Sequence, residues 1–242
     1  MKRDNLKTET LVIAHRGDTQ SALENTLEAF SSALALGVDG IELDVRLTKD
    51  RRVVVFHDQS LDRLARRKEW VESSPWSDLR SVRLTNASRI PLLEEVLELV
   101  RDRLWLNIEI KTQGLFTDPL VTQILKDLKR FNLKDSILLS SFQPAALWNL
   151  RMRDSTFHRG YLLEKWPHLH RWVLPTTAPY SVHFPLPDAS DTAVRHHHDA
   201  GRKFFVWTVN YENDMNRLIA TGVDGLITDK PRTLLKLLGR TS

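Results

Sequence analysis

The chain has 242 residues, 41% hydrophobic and 27% charged, with a formal charge of +4, an ordinary globular composition sized for one α/β barrel or two small domains. With no cysteine, disulfides, thiolate nucleophiles and zinc-finger sites are excluded, and the basic run Arg63–Lys68 reads as a solvated loop, too weak for a nucleic-acid footprint. The opening MKRDNLKTET has no apolar segment before the first strand, so neither a signal peptide nor a membrane span is expected, and a cytoplasmic protein is.

Leu11–Ala14 is a short apolar strand that ends at His15-Arg16-Gly17. Residues 24–36 follow with Leu27, Phe30, Ala33 and Leu34 at helical spacing and Gly37 as the stop, and Asn25 either caps the helix or bridges near the first loop, the helix start being favoured over a ligand role. Residues 37–58, GVDGIELDVRLTKDRRVVVFHD, organise the rest. Ile41, Leu43, Val45 and Leu47 alternate with Glu42, Asp44 and Arg46, the period of a strand. A polar turn at Lys49–Arg52 leads to a returning strand, Val53–Phe56, and then to His57-Asp58. A two-residue turn centred between Asp50 and Arg51 would set His57 across from Asp44. That turn type favours Asn-Gly or Asp-Gly, and a three-residue turn would move the pairing by one.

Periodicity fades from 58 to 90, an excursion outside the regular repeat. Pro91 is expected to open a helix burying Leu93, Val96, Leu97 and Val100. Further strands are expected at 105–110, 136–140, 159–163, 180–184, 204–209 and 225–228. Helices are expected at 118–131, Pro144–Arg153, Trp166–Val173, Ala189–Ala200, Asn213–Thr221 and 231–238. Without the returning hairpin strand, eight candidate parallel strands remain, which is the count of a (β/α)8 TIM barrel. The whole chain, 1–242, is expected to form that single domain, with the hairpin and excursion at 46–90 inside it. Gly-Val-Asp-Gly occurs at 37–40 and again at 222–225, each time entering a strand. A doubly wound open sheet is disfavoured, because His-Arg-Gly-Asp after the first strand is not a phosphate-binding glycine loop.

In a barrel His15, Asp44 and Glu109 stand near C-terminal strand ends, where active sites of this fold lie. Glu42, Asp44 and Glu109 offer oxygen ligands suited to a hard divalent cation. One acid on a strand is more often solvated or salt-bridged, but inward-facing acids need partners. Arg16 and Lys111 could be those partners, or could bind a phosphate. His15 and His57, each beside acids or an arginine, are candidates for general acid and base. His196-His197-His198 reads as a solvated helix face, and His168 and His170 as surface residues; His158 and His183 have no assigned place. Trp207 lines either the mouth or the wall of the barrel.

These segments, in order, resemble the glycerophosphodiester phosphodiesterases, a family with a phospholipase-C-like TIM barrel. The matching pieces are AHRG at 14–17, ENT at 24–26, GVDGIELDVRLTKD at 37–50, VVVFHD at 53–58, NIEIK at 107–111, SF at 141–142, WTVN at 207–210 and GVDGLITDKP at 222–231. The resemblance implies metal-dependent hydrolysis of a small-molecule glycerophosphodiester to sn-glycerol 3-phosphate and an alcohol, with no nucleic acid and no stable membrane insertion. It implies His15 and His57 as the acid–base pair, Glu42, Asp44 and Glu109 as ligands of Mg²⁺ or Ca²⁺ (Mn²⁺ in some members), and Arg16 and Lys111 as phosphate contacts; Trp207 is a further candidate for substrate binding at the barrel mouth. Leu23 replaces a common proline before ENT, Arg51 a hairpin glycine, and Leu64-Ala65-Arg66-Arg67 the usual threonine-rich segment. These departures bear on substrate choice. Two other readings are a lysophospholipase D with an apolar groove near 58–90, where Trp70 and Trp76 would be lining candidates, and a silent phosphodiester-binding protein.

Overall fold

The computed structural model describes residues 9–101, 103–112, 118–164 and 167–240, with backbone only at 167–171. Eight parallel strands close a ring: β1 (Leu11–His15), β2 (Gly40–Leu47), β4 (Trp105–Ile110), β5 (Ile137–Ser141), β6 (His158–Leu162), β7 (Ser181–Pro185), β8 (Lys203–Trp207) and β9 (Gly225–Thr228), with β9 returning to β1. β3 (Val53–Val55) pairs antiparallel with β2 outside that ring. This is a TIM barrel. The helices are α1 (Leu27–Leu36), α2 (Asp62–Ala65), α3 (Trp76–Leu79), α4 (Leu93–Val100), α5 (Pro119–Phe131), α6 (Pro144–Arg153), α7 (Pro167–Thr177), α8 (Asp191–Asp199), α9 (Glu212–Thr221) and α10 (Pro231–Leu237). The eight strands are those expected from the sequence, with bounds that agree to within two residues. The expected helix start at Trp166 and the surface placement of His168 and His170 lie outside the described residues.

The main core lies between ring and helices. Outward residues of the strands (Val12, Ile41, Leu43, Val45, Ile108) meet inward residues of the helices (Phe30, Leu93, Leu97, Ile124). The four residues expected on the buried face of α4 are all buried there. Pro91 does not open that helix. Leu92 caps it, and Pro91 instead accepts the Val55 amide, continuing the edge of β3. A second cluster, with Val54, Phe56, Leu61, Val71 and Leu79, sits within the excursion. Inside the barrel, Trp105 and Phe205 stack with centroids 5.7 Å apart as a floor, beside Ile13 and Ile227.

The repeated Gly-Val-Asp-Gly forms one corner twice. Gly37 and Gly222 end α1 and α9 with φ of 73° and 81°, where a side chain would be strained. Asp39 then accepts the Val12 amide of β1 and Asp224 the Phe204 amide of β8, tying each corner to the preceding strand. The closing glycines, Gly40 and Gly225, lie against the floor: a β-carbon would stand 2.9 Å from the Trp105 ring and carbonyl at Gly40, and 2.6 Å from Phe205 at Gly225. Gly40→Ala is therefore expected to lower the unfolding free energy by about 1–3 kcal/mol through overpacking. A lower denaturant midpoint at unchanged slope is the readout.

The hairpin departs from the two-residue expectation. Val45, Arg46 and Leu47 pair with Val55, Val54 and Val53, a shift of one residue. The turn has three residues, Lys49-Asp50-Arg51, and Arg51 takes the left-handed conformation at φ 62°. Phe56, not His57, lies opposite Asp44, and its amide bonds the Asp44 carbonyl. The chain then leaves the ladder and bends at 57–59, which returns His57 to the barrel mouth.

Two other expectations fail for local reasons. His197 is buried, packed on Phe184 and Phe204, because α8 turns one of its three consecutive histidines inward. The Arg63–Lys68 run is not a simple solvated loop: α2 occupies its start, and Arg63 is held in ion pairs described below. Of the unplaced histidines, His183 lies fully buried inside the barrel with Nε2 2.9 Å from Ser181 Oγ, while His158 is exposed against Tyr180. Among the described residues no helix is long and apolar enough to cross a membrane.

Candidate active site

The alternation of β2 turns Glu42 and Asp44 into the barrel, and its register with β4 sets Asn107 beside Glu42 and Glu109 beside Asp44. Glu42, Asp44 and Glu109 are buried and each brings a carboxylate oxygen within 4.8 Å of the others. Two cations enter this acid cluster. Lys111, just past β4, places Nζ 2.5 Å from Glu109 and 3.2 Å from Asp44. Arg16 follows β1 in a left-handed conformation that aims Nε at Asp44, 3.1 Å away, and one terminal nitrogen at Glu24, 2.8 Å away.

Burial pushes a carboxyl's pKa up and nearby cations pull it down. For Asp44, Lys111 and Arg16 outweigh burial, and its carboxyl is held below the usual range. Glu42 and Glu109 are raised, first by burial and then by the charge of Asp44. Glu42 Oε1 is buried and makes no hydrogen bond. A divalent cation would satisfy that oxygen and relieve the crowded negative charge, so the acid cluster fits a hard metal ion on its donor set and on its unmet electrostatics.

The histidines flank the acids. His15, at the end of β1, stands 3.9 Å from Glu42, and its Nδ1 pairs at 2.6 Å with Asp229, which also accepts from Asn210. Burial alone would lower its pKa; the Asp229 hydrogen bond and the Glu42 charge reverse this and raise it. His57 pairs through Nδ1 with Asp58 at 2.7 Å. Burial lowers its pKa, Asp44 opposes, and Lys111 adds to the lowering. The Arg46 guanidinium donates twice to the His57 carbonyl and so fixes the bend after β3.

His15, Arg16, Glu42, His57, Glu109, Lys111 and Trp207 line one cavity at the C-terminal mouth. Asp44 lies behind them, 1% exposed, as the anchor for both cations. Trp207 stands at the mouth, its ring edge-on to Phe142 and its indole N–H donating to the His183 carbonyl. Every residue singled out for chemistry in the sequence is thus in or directly behind one site.

Several members of this constellation were not legible beforehand. Asn25 does not start the helix. Thr26 caps α1, while Asn25, at φ 56°, donates to Asp44 Oδ2 at 2.8 Å and accepts the Asp44 amide. Asp229 and Asn210 belong to quoted motifs, but nothing in their spacing ties them to His15. Arg63 bridges Asp58 and Glu24, closing an ionic chain from His57 through Asp58, Arg63 and Glu24 to Arg16.

The C-terminal mouth of this TIM barrel gathers three carboxylates that could hold a metal ion, with two histidines, an arginine and a lysine around them. The sequence model of the glycerophosphoryl diester phosphodiesterase family matches residues 15–233, and the chain belongs to that family. It is 35% identical to a glycerophosphodiester phosphodiesterase of Caldanaerobacter subterraneus subsp. tengcongensis, covering 95% of this chain and 98% of the relative. Among solved structures it resembles a Thermotoga maritima glycerophosphodiester phosphodiesterase at 32% identity and TM-score 0.80, covering 95% of this chain and 99% of the other. It also resembles an Oleispira antarctica phosphodiesterase in complex with the product sn-glycerol-3-phosphate, at 27% identity, TM-score 0.89, and coverage of 95% and 96%.

Proposed function

We propose that the protein hydrolyses glycerophosphodiesters to sn-glycerol 3-phosphate and an alcohol, with the help of one divalent cation, Mg²⁺ or Ca²⁺, with Mn²⁺ as a substitute. The observation that carries this reading is the convergence of two histidines, two cations and a buried carboxylate triad on one cavity, in a chain whose relatives are named for that reaction. Glu42, Asp44 and Glu109 would hold the cation, which supplies positive charge to polarise the phosphoryl group. Arg16 and Lys111 bind the phosphate oxygens and oppose the negative charge that grows on them in the transition state. One histidine takes a proton from the attacking oxygen, that of water or of the glycerol 2-hydroxyl (whose cyclic phosphate water then opens), and the other delivers one to the departing alcohol oxygen. Asp229 and Asp58 each hold a ring through Nδ1, so Nε2 is the atom left to exchange protons on both. Trp207 walls the side on which the alcohol leaves.

Release of glycerol 3-phosphate from a panel of glycerophosphodiesters is the test. Chelation with EDTA is expected to abolish release, and restoring Mg²⁺, Ca²⁺ or Mn²⁺ singly to recover it and rank the ions. Release unaffected by thorough chelation would overturn the metal assignment. Absence of release with every ion, from folded protein, would overturn the reaction. The lysophospholipase D reading gains no support from the excursion: Trp76 packs against its core, and neither Trp76 nor Trp70 lines the cavity.

A further inference from the structure

The cavity, about 430 Å³, has two unlike ends. Strands β1, β2 and β4 and the bend after β3 supply the acids, cations and histidines already assigned. The far side is built by Phe142 after β5, Leu162 and Glu164 at the end of β6, and Trp207 of β8. Around the ring β6 is four strands from β1 in either direction. Glu164 therefore faces His15 and Arg16 across the mouth.

Glu164 differs from the other acids of the mouth. Glu24 pairs with Arg16 and Arg63, Asp58 with Arg63, and Asp229 with His15 and Asn210. Glu164 is exposed, and among the described residues no cation pairs with it. Beside it on the rim are two aromatic rings. Lys111 already sits over the Phe142 ring, with Nζ 5.7 Å from the centroid, which leaves Trp207 without a cation among the described residues. A carboxylate with no cation partner among the described residues, lining the same cavity as an indole, is a place for a cation from the ligand, since both attract positive charge.

A phosphodiester bound at Arg16 and Lys111 puts its anionic group at one end of the cavity. An alcohol arm bearing an ammonium group would carry a positive charge to the other end. The two ends have the charge order of such a zwitterion. A neutral polyol arm would leave Glu164 without a charge partner.

We propose that Glu164, together with Trp207, selects glycerophosphodiesters whose alcohol carries a primary or quaternary ammonium group. The inference rests on the hydrolase reading for the site's occupant. The measure is the ratio of kcat/KM for glycerophosphocholine to that for glycerophosphoglycerol. Glu164→Gln is expected to lower this ratio about two- to fivefold, the size of one exposed charge pair, since the Trp207 ring remains. Glu164→Lys is expected to lower it further. A ratio that does not change, or an equal fall on both esters, overturns the proposal and makes Glu164 a general contact or a bystander.

Binding separates this failure from failure of the hydrolase reading. Calorimetric titration of each ester into His15→Ala protein, with and without Glu164→Gln, needs no turnover. If the wild type cleaves nothing, the hydrolase reading fails. A preference for the choline ester that Glu164→Gln erases would still uphold the subsite, and equal binding of the two esters would remove it.

Discussion

Replacing His15 or His57 by alanine is expected to lower kcat at least about a hundredfold with the fold retained, the scale of a lost general acid or base. Neither ring is part of the main hydrophobic core, so circular dichroism and thermal midpoints should stay close to wild type. The pH profile separates the two roles. His57 is depressed below its ordinary value of 6.5, by burial first. His15 is raised above 6.5, because the Asp229 hydrogen bond and Glu42 overcome burial. Between the two pKa values the populated pair is therefore neutral His57, ready to accept a proton, and protonated His15, ready to give one. Activity should be lost as pH falls through the His57 pKa, since the base becomes protonated. It should also be lost as pH rises through the His15 pKa, since the acid has lost its proton. The profile of kcat/KM is then a bell spanning 6.5. His57→Ala should remove the acidic limb and His15→Ala the alkaline one. Wild-type turnover in either variant would sink the pair, and limbs lost in the opposite order would exchange the roles.

Whatever repeats with a short period was legible in the sequence. The β2 alternation placed Glu42 and Asp44 inward, and the β4 alternation did the same for Glu109. The doubled Gly-Val-Asp-Gly foretold one corner used twice, and the structure adds why its parts are needed: a left-handed stop, an aspartate that ties the preceding strand, and a glycine against the floor. What was not legible depends on backbone states and long-range contacts. The hairpin register turns on Arg51 accepting a positive φ, for which the one hint was that Arg51 replaces a hairpin glycine of the resembling family. Asn25 reads as a helix-start residue until its own positive φ aims the amide at Asp44. Asp229 lies 214 residues from His15, beyond any local pattern. His197 shows the limit from the other side, since its three-histidine run looks polar and only packing decides which ring turns inward.

Lys111→Met is expected to lower kcat/KM by about 10²–10³, the cost of removing one preorganised group that faces developing charge. The argument starts from its contacts. One ammonium bridges Glu109 and Asp44 and also lines the cavity, so it serves the acids behind it and the phosphate before it. Methionine keeps most of the volume and loses the charge. Asp44 then loses the cation most responsible for keeping its carboxyl low, and Glu109 loses its close partner. Both carboxyls become easier to protonate, and the electrostatic gradient toward the phosphoryl oxygens weakens. Because that charge grows between ground state and transition state, kcat should fall more than KM rises. Arginine should not rescue: a planar fork does not fit where a point charge reaches within 2.5 Å of Glu109 and 3.2 Å of Asp44. Steady-state kinetics on the preferred ester, with thermal unfolding as the control, decides the matter. A variant whose loss lies wholly in KM would confine Lys111 to ground-state phosphate binding. Full activity in Lys111→Arg would show that charge alone, without the compact ammonium geometry, meets the need.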